Sequence, residues 1–172
     1  MKQWFALTAI GHDRPGIVAD LAELIYECDC NLEDSRMTVL GSEFAVLLLC
    51  SGQDDDVGRR LSTASRRLEW EKRLTVFVRP VDGPPPPGRA VLRECRVTGV
   101  DRAGIVARVA RTLTEHGANV LDLASELRHE PESGTPMYTM RILLSVPPET
   151  DLAALRAALE RAAVELSVDL TI

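Results

Sequence analysis

The chain has 172 residues, 45% of them apolar and 27% charged, and a formal net charge of −6. That length suits one medium domain or two small ones, and the apolar share excludes wholesale disorder. The longest apolar run, Phe44 to Cys50, falls far short of the roughly 20 residues that span a bilayer. Residues 1–80 hold ten Lys/Arg against thirteen Asp/Glu, and the remainder holds the same, so no basic footprint for direct nucleic-acid binding stands out.

In chain order, Trp4 to Ile10 is β-prone and predicts a strand ending at Gly11. Asp13-Arg14-Pro15-Gly16 then opens a helix. Proline suits a first turn, where its missing N–H costs nothing, and Asp13 is placed to cap. Ile17, Val18, Leu21, Leu24, Ile25 and Cys28 recur at helical spacing as one apolar stripe. Leu32 to Leu40 reads as a second strand and Gly41-Ser42 as a tight turn. Glu43 to Ser51 reads as a third strand, whose unbroken Ala45–Cys50 run predicts a central position partly covered on both faces. Asp54-Asp55-Asp56 puts negative charge at the start of a second helix, and Leu74 to Arg79 closes a fourth strand.

The same order then returns. Gly11-His12-Asp13-Arg14-Pro15-Gly16-Ile17-Val18 recurs as Gly99-Val100-Asp101-Arg102-Ala103-Gly104-Ile105-Val106, and the same spacing pairs Asn31 with Asn119. Strands are predicted over 91–98, 119–128, 137–146 and 167–172, and helices over 104–116 and 151–166. The last helix carries Leu152, Leu155, Leu159, Ala162 and Leu166 on one face. Between the copies lies Val81-Asp82-Gly83 followed by four prolines, which favour polyproline II. The expectation is α+β: two ferredoxin-like βαββαβ domains, 1–80 and 91–172, joined by a semi-rigid linker over 81–90. Each would be a four-stranded antiparallel sheet with two helices on one face. A unit this small, bare on one sheet face, tends to pair.

The Gly-x-Asp-Arg-x-Gly-Ile-Val junction between strand and helix, and the Asn after the helix, both present twice, resemble the ACT domain family of small-ligand regulatory modules. More narrowly, the chain is similar to the glycine cleavage system transcriptional repressor family. That likeness rests on Gly134-Thr135-Pro136-Met137-Tyr138 before a strand and Val146-Pro147-Pro148 after it. The resemblance implies that a small amino acid binds at interfaces between ACT domains. It implies ligand-binding roles for Asp13, Arg14, Gly16, Ile17 and Asn31, and for Asp101, Arg102, Gly104, Ile105 and Asn119. The chemistry is reasonable. Glycine admits a ligand close to the backbone, first-turn amides favour a carboxylate, and Asn offers both a donor and an acceptor to a zwitterion. The same residues also fit plain structural roles: Asp as helix cap, Gly for close packing, Asn for a left-handed turn.

Three functional readings follow. The first is a sensor that controls amino-acid or glycine metabolism through a protein partner, a transcription factor or a metabolic enzyme. The second is a ligand-free pairing module, and the third a regulatory fragment of a metabolic enzyme. No catalytic constellation stands out, so the expectation is a non-enzyme, homodimeric and cytoplasmic, with no cofactor, metal or membrane contact. The N-terminus does not read as a secretory signal, and Cys28, Cys30, Cys50 and Cys95 form no disulfide framework. Cys28 and Cys50 are expected to be buried thiols. Arg59, Arg60, Arg66 and Arg67 are expected on a solvated helix face opposite Leu61 and Leu68.

Overall fold

A computed structural model describes residues 2–84, 90–131 and 133–172. The chain divides into two compact units, Met1–Pro86 and Pro87–Ile172. Unit 1 runs β1 (Gln3–His12), α1 (Ile17–Glu27), β2 (Asn31–Leu40), β3 (Glu43–Gly52), α2 (Val57–Lys72) and β4 (Thr75–Val81). Unit 2 repeats the order with β5 (Val91–Val100), α3 (Ile105–Glu115), β6 (Asn119–His129), β7 (Pro136–Val146), α4 (Leu152–Leu166) and β8 (Val168–Thr171). Each unit has one antiparallel sheet, ordered β2-β3-β1-β4 and β6-β7-β5-β8. The ferredoxin-like expectation therefore holds in both.

Alternation explains the layering. Phe5, Leu7 and Ala9 on β1 and Phe44, Val46, Leu48 and Cys50 on β3 face the helices. Ile17, Leu21, Leu24, Ile25 and Cys28 from α1 and Val57, Leu61 and Leu68 from α2 complete that core. Unit 2 builds its own from Cys95, Val97, Met140, Ile142, Leu144, Leu155 and Leu159 with α3. Two details differ from the sequence reading. The central β3 is covered on one face: Leu47, inside the unbroken apolar run, is 51% exposed. The helix stripes are narrower than their apolar residues suggest, since Val18 and Leu152 stand open to solvent while Ala158 and Ala163 are buried.

β4 ends at Val81, the residue at which the linker was expected to begin, and pairs it with Trp4. Pro80 is tolerated there because β4 is an edge strand. The stretch 85–89, which holds most of the proline run, lies outside the described residues.

Close approach of β1 to the start of β4 depends on glycine. A Cβ at Gly11 would sit 2.7 Å from Leu74 Cδ2, and one at the matching Gly99 would sit 2.8 Å from Val168 Cγ1. Both edge strands β2 and β6 carry a register shift at the same repeat position, around Glu33 and Leu121.

Candidate functional site

The twin junctions begin at the ends of β1 and β5. The backbone N–H of Asp13 donates to the Ser42 carbonyl at 2.8 Å, and that of Asp101 donates to the Pro136 carbonyl at 3.0 Å. Neither aspartate caps a helix. The N-cap positions belong to Gly16 (φ 93) and Gly104 (φ 95), and no side chain among the described residues bonds there. Pro15 precedes α1 rather than entering its first turn. The glycines are required by their left-handed φ, not by packing. Among the described residues nothing lies within 4 Å of a Cβ built on Gly104, and one built on Gly16 meets Arg14 Nη1 alone, at 3.9 Å. Each helix start is thus exposed, with its first-turn backbone amides free of a side-chain cap among the described residues.

The other junction residues divide by role. Ile17 and Ile105 are 1% and 2% exposed and anchor the core, so their backbone amides, not their side chains, could meet a ligand. Arg14 Nη2 donates to Asp20 Oδ2 at 2.8 Å, and Lys72 lies 3.2 Å from the other oxygen. Hydrogen bonding from Arg14, then Lys72, holds the Asp20 carboxyl below the usual range despite opposing desolvation. Arg102 reaches Ser167 Oγ at 3.4 Å.

Asn31 and Asn119 are elsewhere. They open β2 and β6, where Asn31 pairs with Ser51, beside Gly52 and Gln3. The junction sits at the other end, where His12 pairs with Glu43. About 30 Å of strand separates the two places within one unit. The structure therefore brings Asp13, Arg14 and Gly16 together, and Asp101, Arg102 and Gly104 together, but leaves each Asn apart. Nor do the asparagines occupy left-handed turns: those positions are Asp29 (φ 56) and Gly117 (φ 75).

At the Asn31 end, unit 1 holds a cavity of about 580 Å³. Its chemistry comes from Lys2, Asp29, Glu33, Asp54 and Arg60, residues absent from the predicted site. Lys2 Nζ lies 2.9 Å from Glu33 Oε1 and 4.3 Å from the centre of the Trp4 ring. Ser51 Oγ donates to the same Glu33 oxygen at 2.5 Å. The Ser51 hydroxyl, then Lys2 and Asn31, lower the Glu33 pKa to about 2. Arg60 Nη1 sits 3.0 Å from Asp54 and 3.5 Å from Asp29.

Arg60 departs from the solvated face expected for it. Its Nε and Nη2 are shielded from solvent and find no hydrogen-bond partner. Its neighbours behave as expected, with Arg59 paired to Asp56 and Arg67 to Glu27 at 2.7 Å. A sequence signal for the cavity existed: the repeat sets Lys2, Asp29 and Glu33 against Ala90, Gly117 and Leu121.

Cys28 and Cys50 are buried, and Cys30 is partly so. Burial, reinforced by Cys30, pushes the Cys50 thiol to about 12. Among the described residues no cluster of His, Cys, Asp and Glu is arranged to hold a metal ion, and no helix is long and apolar enough to cross a membrane.

The ACT domain profile matches residues 3–79 and 95–172. The chain belongs to the ACT domain family. It is 28% identical to the glycine cleavage system transcriptional repressor of Escherichia coli over 166 residues, which cover 96% of this chain and 87% of that protein. A protein of Methanopyrus kandleri is 43% identical over 66 residues, 38% of this chain and 69% of its own. Among solved structures, an uncharacterised Galdieria sulphuraria protein superposes with a TM-score of 0.86 at 30% identity, covering 99% of this chain and 97% of its own. A candidate glycine cleavage system transcriptional repressor superposes with a TM-score of 0.76 at 23% identity, covering 99% of this chain and 96% of its own, and supports the fold. This ACT protein is thus related to the repressor along nearly its whole length.

Proposed function

We propose that this ACT protein is a sensor of a small amino acid that acts on a protein partner and is not itself an enzyme. One observation carries the reading: two helix starts, each with a left-handed glycine, each open above its backbone amides. Such a helix start suits a carboxylate, while Asn31 and Asn119 suit a zwitterion's mixed donors and acceptors. Because a helix start and an Asn lie at opposite ends of a unit, a ligand touching both would draw on two ACT units. Homodimer formation through edge strands or open sheet faces is part of this proposal. Met37, Leu40, Leu47 and Phe77 support it, being 55%, 73%, 51% and 65% exposed. The relative's name directs the reading toward control of glycine metabolism, through a transcription factor or a metabolic enzyme in the cytoplasm. The proline-rich stretch 81–90 is proposed as the linker between the domains.

The same exposed residues favour a second reading, a pairing module that needs no ligand. Melting the full chain with each of the twenty amino acids separates the two. A sensor gains about 2.7 kcal/mol, several degrees, with a selective ligand at 100 times its Kd. A flat panel supports the pairing module. Asn119→Ala should abolish the ligand-induced rise and leave the unliganded Tm unchanged; an equal loss without ligand assigns Asn119 to the turn.

A further inference from the structure

We propose that unit 1 carries an amino-acid site of its own, complete within one ACT unit, in which Arg60 takes the ligand carboxylate and Asp29 and Asp54 take its ammonium. This inference rests on the sensing reading and adds to it a second place for the ligand, apart from the helix starts and asparagines. The cavity is open to solvent and is lined by the residue before β1, the α1–β2 turn with the start of β2, the end of β3 with the loop after it, and Arg60 of α2. About 580 Å³ is room for a free amino acid with a side chain.

Three observations converge on Arg60. A guanidinium has five donors in a planar fork that matches a carboxylate. Here Nη1 is shared between two aspartates while Nε and Nη2, out of reach of water, have no partner. An unsatisfied buried charged donor is costly and calls for a reason. Asp29 and Asp54 keep side-chain exposures of 79% and 56%, and both line the cavity, so their remaining lone pairs are free to accept an ammonium. Binding would exchange partners. The guanidinium turns from the aspartates to the ligand carboxylate, and the ammonium replaces it between them.

Asp29 also distinguishes the two units. It holds φ 56, a left-handed conformation that aspartate tolerates better than most residues and that the repeat fills with Gly117 in unit 2. Unit 1 thus sets a carboxylate on the cavity wall at that position. The remaining charges are committed to each other, since Lys2, Glu33 and Ser51 form a closed set. With three carboxylates on the wall, a bare anion such as phosphate is repelled and a zwitterion is not.

The test is calorimetry on the full chain with the twenty amino acids and with inorganic phosphate. The expected result is one selective amino acid and no phosphate binding. Asp29→Gly, which relaxes the backbone, and Asp54→Asn should each weaken that ligand about tenfold to a hundredfold. Arg66→Gln, on an exposed part of the same helix, should leave it unchanged. Binding that survives Asp29→Gly and Asp54→Asn but is lost in Asn119→Ala overturns this site and leaves the sensing reading standing. Phosphate binding as tight as the amino acid also overturns it. No amino-acid binding by the unmodified chain overturns both.

Discussion

The register shift in the edge strand falls at Glu33 in unit 1 and at Leu121 in unit 2, with the same pairing on either side. The helix preceding it starts at a glycine with φ 93 in one unit and 95 in the other. The helix after the central strand ends at a non-glycine residue with φ 55 in both, Arg73 and Ser167. Counting from that shared end, Arg60 corresponds to Ala154 and Asp54 to Pro148; counting from the junctions, Lys2 corresponds to Ala90 and Asp29 to Gly117. The two units share these backbone irregularities and differ in the charged residues of one sheet end. Irregularities are imposed by sheet twist and turn geometry, which the fold needs twice.

The largest effects should be those the units share. Leu61→Ala and Leu155→Ala remove equivalent side chains, both 0% exposed, and each should cost about 2–5 kcal/mol in denaturant unfolding. A cost below 1 kcal/mol for one of them would show that the two cores are not equivalently packed.

Glycine substitutions come next and divide by cause. Gly104→Ala meets no neighbour, so it should cost about 1–2 kcal/mol from its backbone alone. Gly99→Ala meets Val168 Cγ1 at 2.8 Å and Cα at 3.1 Å, and should cost more because backbone must move. Exchanging the turn residues sharpens the contrast. Gly117→Asp should destabilise by about 1 kcal/mol, whereas Asp29→Gly should be neutral or stabilising.

Periodicity and the repeat made the fold legible. All eight strands were placed within two residues of each end, because alternation reports directly on burial, and the helices followed from the 3.6-residue period. What was not legible depended on distances between segments. Asp13 has the composition of a cap, yet the helix starts three residues later at a left-handed glycine. Asn31 follows Gly16 in sequence by one helix, which hides that α1 carries the chain to the opposite sheet end. Arg60 shares a helix with solvated arginines, and its different environment comes from the α1–β2 turn and the β3–α2 loop, brought to it by tertiary structure.

The next contrast is in ion pairs between helix ends. Unit 1 places Asp20 between Arg14 and Lys72; unit 2 reverses the sign at the repeat position with Arg108 bonded to Glu165 at 2.7 Å. Asp20 has a lowered native pKa, so its contribution is present above the unfolded carboxylate value of about 4 and is lost as pH falls through the native value. Asp20→Asn should lower Tm at neutral pH by a few degrees at most, with the difference shrinking below about pH 4. Glu33 has the same sign. Its contribution should be complete above its ordinary value of 4.5 and fade toward about 2, so Glu33→Gln should match the unmodified chain in strong acid. A gap that widened on acidification would contradict both pairings.

The smallest effect concerns reactivity rather than stability. Unit 1 gathers Cys28, Cys30 and Cys50 where unit 2 has His116, Ala118 and Leu144, and Cys95 stands alone in its own core. Thiolate, not thiol, attacks a disulfide reagent, so burial slows labelling both by blocking access and by raising the pKa. Desolvation pushes Cys50 to about 12 and Cys95 to about 11, and it raises Cys28 and Cys30 as well. Cys30 is the one thiol among them that is partly exposed. At mildly alkaline pH it should therefore label first, with Cys50 and Cys95 reacting at the rate of global opening and slowed by anything that stabilises the fold. If Cys95 labelled as fast as Cys30, unit 2 would have to open locally far more readily than its 0% exposed core implies, and the equivalence of the two scaffolds would fail. If the amino acid that binds the intact chain slowed Cys30 but not Cys95, the ligand would be acting on the α1–β2 turn of unit 1, where the charges are.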